Sequence, residues 1–75
     1  MVQVFSAGWC TACKQVKKFL DDNNIQYQEK NIDTDLIALD TLKRLGINSI
    51  PVIYIDDTNY VIGMNKGKIL DLVKK

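Results

Sequence analysis

The chain has no histidine and only two cysteines, and both cysteines fall within one stretch, Cys10-Thr11-Ala12-Cys13. Without histidine there is no imidazole to act as a proton-shuttling base near neutral pH or as a nitrogen ligand for a metal. Structural zinc is enclosed by more thiolate and imidazole ligands than this pair supplies. A zinc or iron–sulfur centre on Cys10 and Cys13 therefore needs a second copy of the chain, bridged through its cysteines. Runs of one charge are missing as well. Ten basic residues are scattered among nine acidic ones, for a net charge of +1. No phosphate-tracking surface is indicated, and nucleic acid is not an expected partner. No apolar run approaches membrane-spanning length, and the start through Gln3, Ser6 and Gly8 lacks the basic and apolar regions of a secretory signal. The expectation is a cytoplasmic protein with no membrane partner. In a reducing compartment a cysteine pair is more often catalytic or metal-binding than structural.

What is present describes an ordinary globular chain. Its 75 residues, 47% apolar and 25% charged, make one domain over 1–75, near the size where a single core is barely sufficient. Val2 to Phe5 is short, β-branched and apolar, and Ser6-Ala7-Gly8 follows as a turn, so the first strand runs into the cysteines. A helix begins at Cys10 or Thr11. Ala12, Val16, Phe19 and Leu20 recur on one face of it, and Asp22-Asn23-Asn24 ends it. Ile25 to Ile32 is expected as a second, more exposed strand. Asp33-Thr34-Asp35 offers a cap for a helix whose stripe of Leu36, Ile37, Ala38, Leu39, Leu42 and Leu45 is expected to face the core. Lys43 and Arg44 suit its C-terminus, and Gly46 stops it. Pro51 opens a strand over Val52 to Ile55, and Asp56 to Asn59 turns the chain into Tyr60, Val61 and Ile62. After Gly63-Met64-Asn65 comes a last helix that turns Ile69, Leu72 and Val73 inward and closes on Lys74 and Lys75. The order βαβαββα implies an α/β fold with a mixed sheet, a parallel βαβ unit followed by an antiparallel hairpin and helix.

Two sulfurs at a helix start, one turn apart, can pass between dithiol and disulfide with little backbone movement. The attacking species is a thiolate, and a helix N-terminus favours it by lowering a thiol pKa from about 8.5. Cys10 begins the helix and is the expected nucleophile. Cys13 shares a face with Val16 and Leu20, so it should be more buried and act as the resolving thiol. Lys14, four residues after Cys10, is either a solvated charge or an ammonium that favours the thiolate and steers an acidic partner. Attack by Cys10 on a substrate disulfide gives a mixed disulfide, which Cys13 then resolves. A permanent staple between cysteines this close removes little unfolded-state entropy.

Together, Val4-Phe5-Ser6-Ala7-Gly8-Trp9-Cys10-Thr11-Ala12-Cys13, Ser49-Ile50-Pro51-Val52 and Tyr60-Val61-Ile62-Gly63-Met64-Asn65 resemble the thioredoxin superfamily. Within it, the resemblance is to the small glutaredoxin-like and NrdH-redoxin group, over essentially the whole chain. It implies the minimal thioredoxin fold, a four-stranded mixed sheet flanked by three helices. It also implies that Pro51 is cis and faces the cysteines, and that the Ile50 backbone pairs with a bound substrate chain. Trp9, Thr11, Ala12 and Gly63 complete the implied substrate surface, Trp9 being either a partner contact or half-buried packing. No bound cofactor is implied, since the Cys10–Cys13 disulfide is itself the redox group.

Three departures narrow the resemblance. Thioredoxins carry a buried acid where this chain has Val4. Glutathione-using glutaredoxins carry a basic residue where it has Ala7, and a Gly-Gly turn followed by Asp where it reads Gly63-Met64-Asn65-Lys66-Gly67. The expectation is a monomeric dithiol carrier that reduces protein disulfides, ribonucleotide reductase among them. A thioredoxin-reductase-type flavoenzyme would recharge it, the alternative being a glutathione-dependent glutaredoxin.

Overall fold

The computed structural model describes residues 2–74, so Lys75, expected to help close the last helix, lies outside the described residues. Seven elements follow in order: β1 (Gln3–Ser6), α1 (Thr11–Asp22), β2 (Gln28–Asn31), α2 (Leu36–Arg44), β3 (Val52–Asp56), β4 (Asn59–Ile62) and α3 (Lys66–Val73). The strands form one sheet in the order β2-β1-β3-β4. β1 pairs parallel with β2, with Val4 opposite Glu29, and antiparallel with β3, with Phe5 opposite Val52. β3 and β4 close the antiparallel hairpin.

Alternation along the strands sends neighbouring residues to opposite faces, and each face collects its own helices. Val4 and Ile53 point to one side, where Val16 and Leu20 of α1 and Ile69 and Leu72 of α3 bury them. Phe5 and Val52 point to the other, where Leu42 of α2 and Ile47 cover them. Phe5 also stacks on Tyr54, with ring centroids 5.3 Å apart.

The helix ends follow local chemistry. The Asp35 carboxylate accepts the N–H groups of Ile37 and Ala38, both at 3.1 Å, and so caps α2. At its other end Gly46 takes a left-handed φ of 73°. That turn lets Gly46 donate to the Lys43 carbonyl at 3.0 Å and Ile47 to the Leu42 carbonyl at 2.9 Å. α1 ends the same way on a non-glycine residue. Asn24, at φ 57°, donates to Asp21 at 3.1 Å, and Ile25 donates to Leu20 at 2.9 Å.

Three expectations are corrected here. The second strand does not start at Ile25, because the backbone N–H of Ile25 is used to close α1; sheet pairing begins only at Gln28. Ser6 is not a turn residue but the buried last residue of β1. Leu36 and Ile37 do not belong to the core and stand 77% and 81% exposed. A leucine at every third position drifts by about 60° per step around a helix, so Leu36 points about 120° away from Leu42. Only Ala38 and Leu42 of α2 are buried.

Candidate active site

β1 ends at Ser6, and a tight turn follows in which the Cys10 N–H donates to the Ala7 carbonyl at 3.2 Å. The turn delivers Cys10 to the N-cap of α1 in an extended conformation (φ −94°, ψ 107°). Its Sγ accepts the backbone N–H of Cys13 at 3.1 Å. This is the capping role that Ser or Asp usually fills, taken here by sulfur. A thiolate at Cys10 is favoured by that N–H and by the positive end of the helix dipole. Cys10 and Cys13 form a disulfide with their Cα atoms 5.3 Å apart. The two sulfurs are not equivalent: Cys10 keeps 7% of its surface exposed, Cys13 none.

Sheet register brings the rest of the site to the same end. Val52 is opposite both Phe5 and Ile62, so Pro51 lies one step beyond the last paired residues, beside the exit of β1. The Ile50–Pro51 bond is cis, as the resemblance implies. Pro51 is buried, and its carbonyl accepts the Gly63 N–H at 2.8 Å. Gly63 turns with φ 83°, a region that disfavours side chains. Ile50 is half-buried against the Phe5 cluster. Trp9 stands 71% exposed beside Cys10, which removes the half-buried packing alternative. Thr11 is exposed and Ala12 half-buried in the first turn of α1, with Lys14 exposed immediately after. Val4 and Ala7 are buried and have uncharged side chains, so neither position presents a charge to the disulfide. Among the described residues no group of three or more His, Cys, Asp or Glu is placed to hold a metal. Among the same residues no helix is long and apolar enough to cross a membrane.

One polar cluster escaped the sequence reading. The buried Ser6 hydroxyl donates to the Glu29 carboxylate at 2.8 Å, and Lys17 donates to the same oxygen at 2.6 Å. The bridge ties α1 to the outer strand on the face that carries Cys13 and Val16. These residues lie far apart in sequence, so no local pattern announces them; only the Val4 to Glu29 register does. The Lys17 hydrogen bond, and after it that of Ser6, holds the Glu29 carboxyl below its ordinary range. A lowered folded-state value means that the stabilisation is full above the unfolded value of about 4.3 and is lost as pH falls through the folded value. The side chains of Lys17 and Glu29 remain 24% and 44% exposed, so the ion pair is worth at most about 1 kcal/mol. Glu29→Gln should therefore lower the thermal midpoint at pH 7 by a few degrees. At pH 3 its midpoint should converge on that of the parent; an equal gap at both pH values defeats the ionic account.

A disulfide that caps a helix at the end of such a sheet, with a cis-proline beside it, is the working part of a thiol oxidoreductase of the thioredoxin superfamily. Within that class the chain belongs to the glutaredoxin family, whose model, described as Glutaredoxin, matches residues 2–60. A glutaredoxin-like 8.6 kDa protein in the rubredoxin operon of Clostridium pasteurianum is 33% identical over the full length of both chains. The glutaredoxin-like protein NrdH of Lactococcus lactis is 39% identical over 57 residues, covering 76% of this chain and 79% of its own. The NrdH-redoxin of Escherichia coli shares the fold with a TM-score of 0.85 at 20% identity, covering 95% of this chain and 92% of its own.

Proposed function

We propose that the protein is a monomeric cytoplasmic dithiol carrier that reduces protein disulfides and is recharged by a thioredoxin-reductase-type flavoenzyme. The carrying observation is the asymmetry of the two sulfurs. Cys10 caps the helix and reaches the surface, while Cys13 is sealed beneath it. In the dithiol form the Cys10 thiolate attacks one sulfur of a client disulfide, and the other client sulfur leaves as a thiolate. Cys13 then attacks Cys10, releases the second client thiol and restores the intramolecular disulfide. Two electrons pass to the client, and no bound cofactor is required.

Trp9, Thr11, Ala12 and Gly63 form the contact surface for the client chain, with the Ile50 backbone pairing with it beside Pro51. Lys14 stands one turn from Cys10, where its charge favours the thiolate. Ribonucleotide reductase is the client toward which the NrdH resemblance points. Two features support thioredoxin reductase over glutathione. Ala7 supplies no charge where glutathione-using glutaredoxins carry a basic residue, and the turn after Gly63 lacks the second Gly and the following Asp of their pattern.

Insulin reduction tests this directly, driven either by NADPH with thioredoxin reductase or by glutathione with its reductase. Turnover is expected in the first system and little in the second. The reverse makes the protein a glutathione-dependent glutaredoxin. Protein reduced beforehand with dithiothreitol that leaves insulin intact overturns the carrier itself.

A further inference from the structure

The two edges of the sheet differ. On β2 the backbone groups of Glu29 and Asn31 point off the sheet, because Gln28 and Ile32 turn inward and donate to Val2 and Ser6, each at 2.9 Å. That edge is blunted. Glu29 and Lys30 put charges on it, and the Asn31 carbonyl is taken by the N–H groups of Thr34 and Asp35.

The β4 edge has neither protection. Gly63 donates to Pro51 at 2.8 Å, and alternation from that bond makes Val61 and Ile53 the next ladder pair. Tyr60 and Ile62 therefore turn their N–H and carbonyl groups off the sheet. Among the described residues no backbone group of the protein meets these four. The strand, Asn59-Tyr60-Val61-Ile62, carries no charge and no proline, and Ile62 is 48% exposed. On the α3 side it borders a groove lined by Val61, Leu72, Lys68 and Asp71.

This edge also leads to the redox pair. Phe5, Val52 and Ile62 stand in one row across β1, β3 and β4, and Pro51 and Gly63 form the next row, beside the exit of β1 toward Cys10. A chain paired with Ile62 thus reaches the cysteine end.

We propose that the β4 edge binds an extended arm of the client, which joins the sheet as a fifth strand while a nearby client cysteine meets Cys10. The inference rests on the carrier reading above and names the class of client: one with an apolar, β-branched segment after its disulfide cysteine. Running antiparallel to β4, the arm leads away from the cysteine end, so it follows the cysteine in sequence. A fifth strand lies three strand spacings from β1, about 14 Å, which about four extended residues span. Two arm residues, two positions apart, exchange pairs of hydrogen bonds with Ile62 and Tyr60. The first packs on the Ile62 side chain, and the residue between them faces the groove beside α3.

The symmetric disulfide of a one-cysteine peptide tests this, with an arm of alternating Thr and Val starting four residues after the cysteine. The dithiol protein should reduce it about tenfold faster than the same peptide without the arm. N-methylation of alternate arm residues yields two isomers. The isomer that loses the N–H groups facing β4 should fall to the armless rate, and the other should keep the advantage. Ile62→Pro removes an outward donor and no bond to β3, so it should erase the difference between the isomers; Ile62→Thr, which keeps the backbone, should preserve it. Equal rates for the two isomers, no advantage from the arm, or a difference that survives Ile62→Pro overturns the proposal. So does a dimer of the parent protein in sedimentation that Ile62→Pro dissociates, since the edge then belongs to a second copy. An armless peptide left unreduced overturns the carrier reading instead.

Discussion

Cys13→Ser protein, reduced and mixed with oxidised insulin, is expected to stop at a covalent complex linked through Cys10. Cys10→Ser should yield neither complex nor turnover. In the first variant Cys10, the more accessible of the two cysteines, still attacks from the N-cap, but a serine hydroxyl cannot resolve the mixed disulfide at neutral pH. In the second the one remaining thiol, Cys13, is fully buried on the inner face of α1 and cannot meet a macromolecular disulfide. Catalytic turnover thus drops to background in both, while only one accumulates an intermediate. Non-reducing electrophoresis separates the outcomes, and the trapped complex in a cell extract identifies clients by mass. A complex formed by Cys10→Ser, or sustained turnover by it, would reverse the assignment of attacking and resolving roles.

The second large effect is on the fold. Ile53→Ala should cost about 2–5 kcal/mol, because it empties a fully buried site between Val4 on one neighbouring strand and Val61 on the other. A chain of this length holds roughly 4–11 kcal/mol of stability in total, so the loss approaches the whole of it. The thermal midpoint should fall by on the order of 10–30 °C, read by circular dichroism. Ile37→Ala, the removal of the same side chain from an 81% exposed position, should move the midpoint by no more than a few degrees. Similar losses in the two variants would contradict the placement of the core.

These two isoleucines show where reading the chain unaided stops. Both sit in apolar runs, and composition treats them alike. The centre of β3 is enclosed on both sides, whereas Leu36 and Ile37 fall on the arc of α2 that points away from its buried residues, Ala38 and Leu42. The same limit applies to Ile25. A strand is a reasonable expectation for its β-branched neighbourhood, but its backbone N–H is consumed by the Leu20 carbonyl once Asn24 turns left-handed. The Ser6, Lys17 and Glu29 bridge lay beyond any periodicity, since it depends on which residue of β2 stands beside Val4.

The redox pair was legible for the opposite reason. Everything that the proposed attack by Cys10 draws on lies within four residues of it: the strand exit, the N-cap position and the backbone N–H of Cys13. Local hydrogen bonding of that range is written in the order of the residues, as are the Asp35 cap and the Gly46 stop. The chemistry of the Cys10–Cys13 pair, the order of elements and most of the buried stripe of α1 follow from such local rules. Packing the helices onto the two faces of the sheet added the rest. It sealed Cys13 while leaving a small part of Cys10 open, set Pro51 beside Gly63, and expelled Leu36 and Ile37. Each of those outcomes depends on residues distant in the chain, and they meet only when burial of the apolar faces forces the register of the strands.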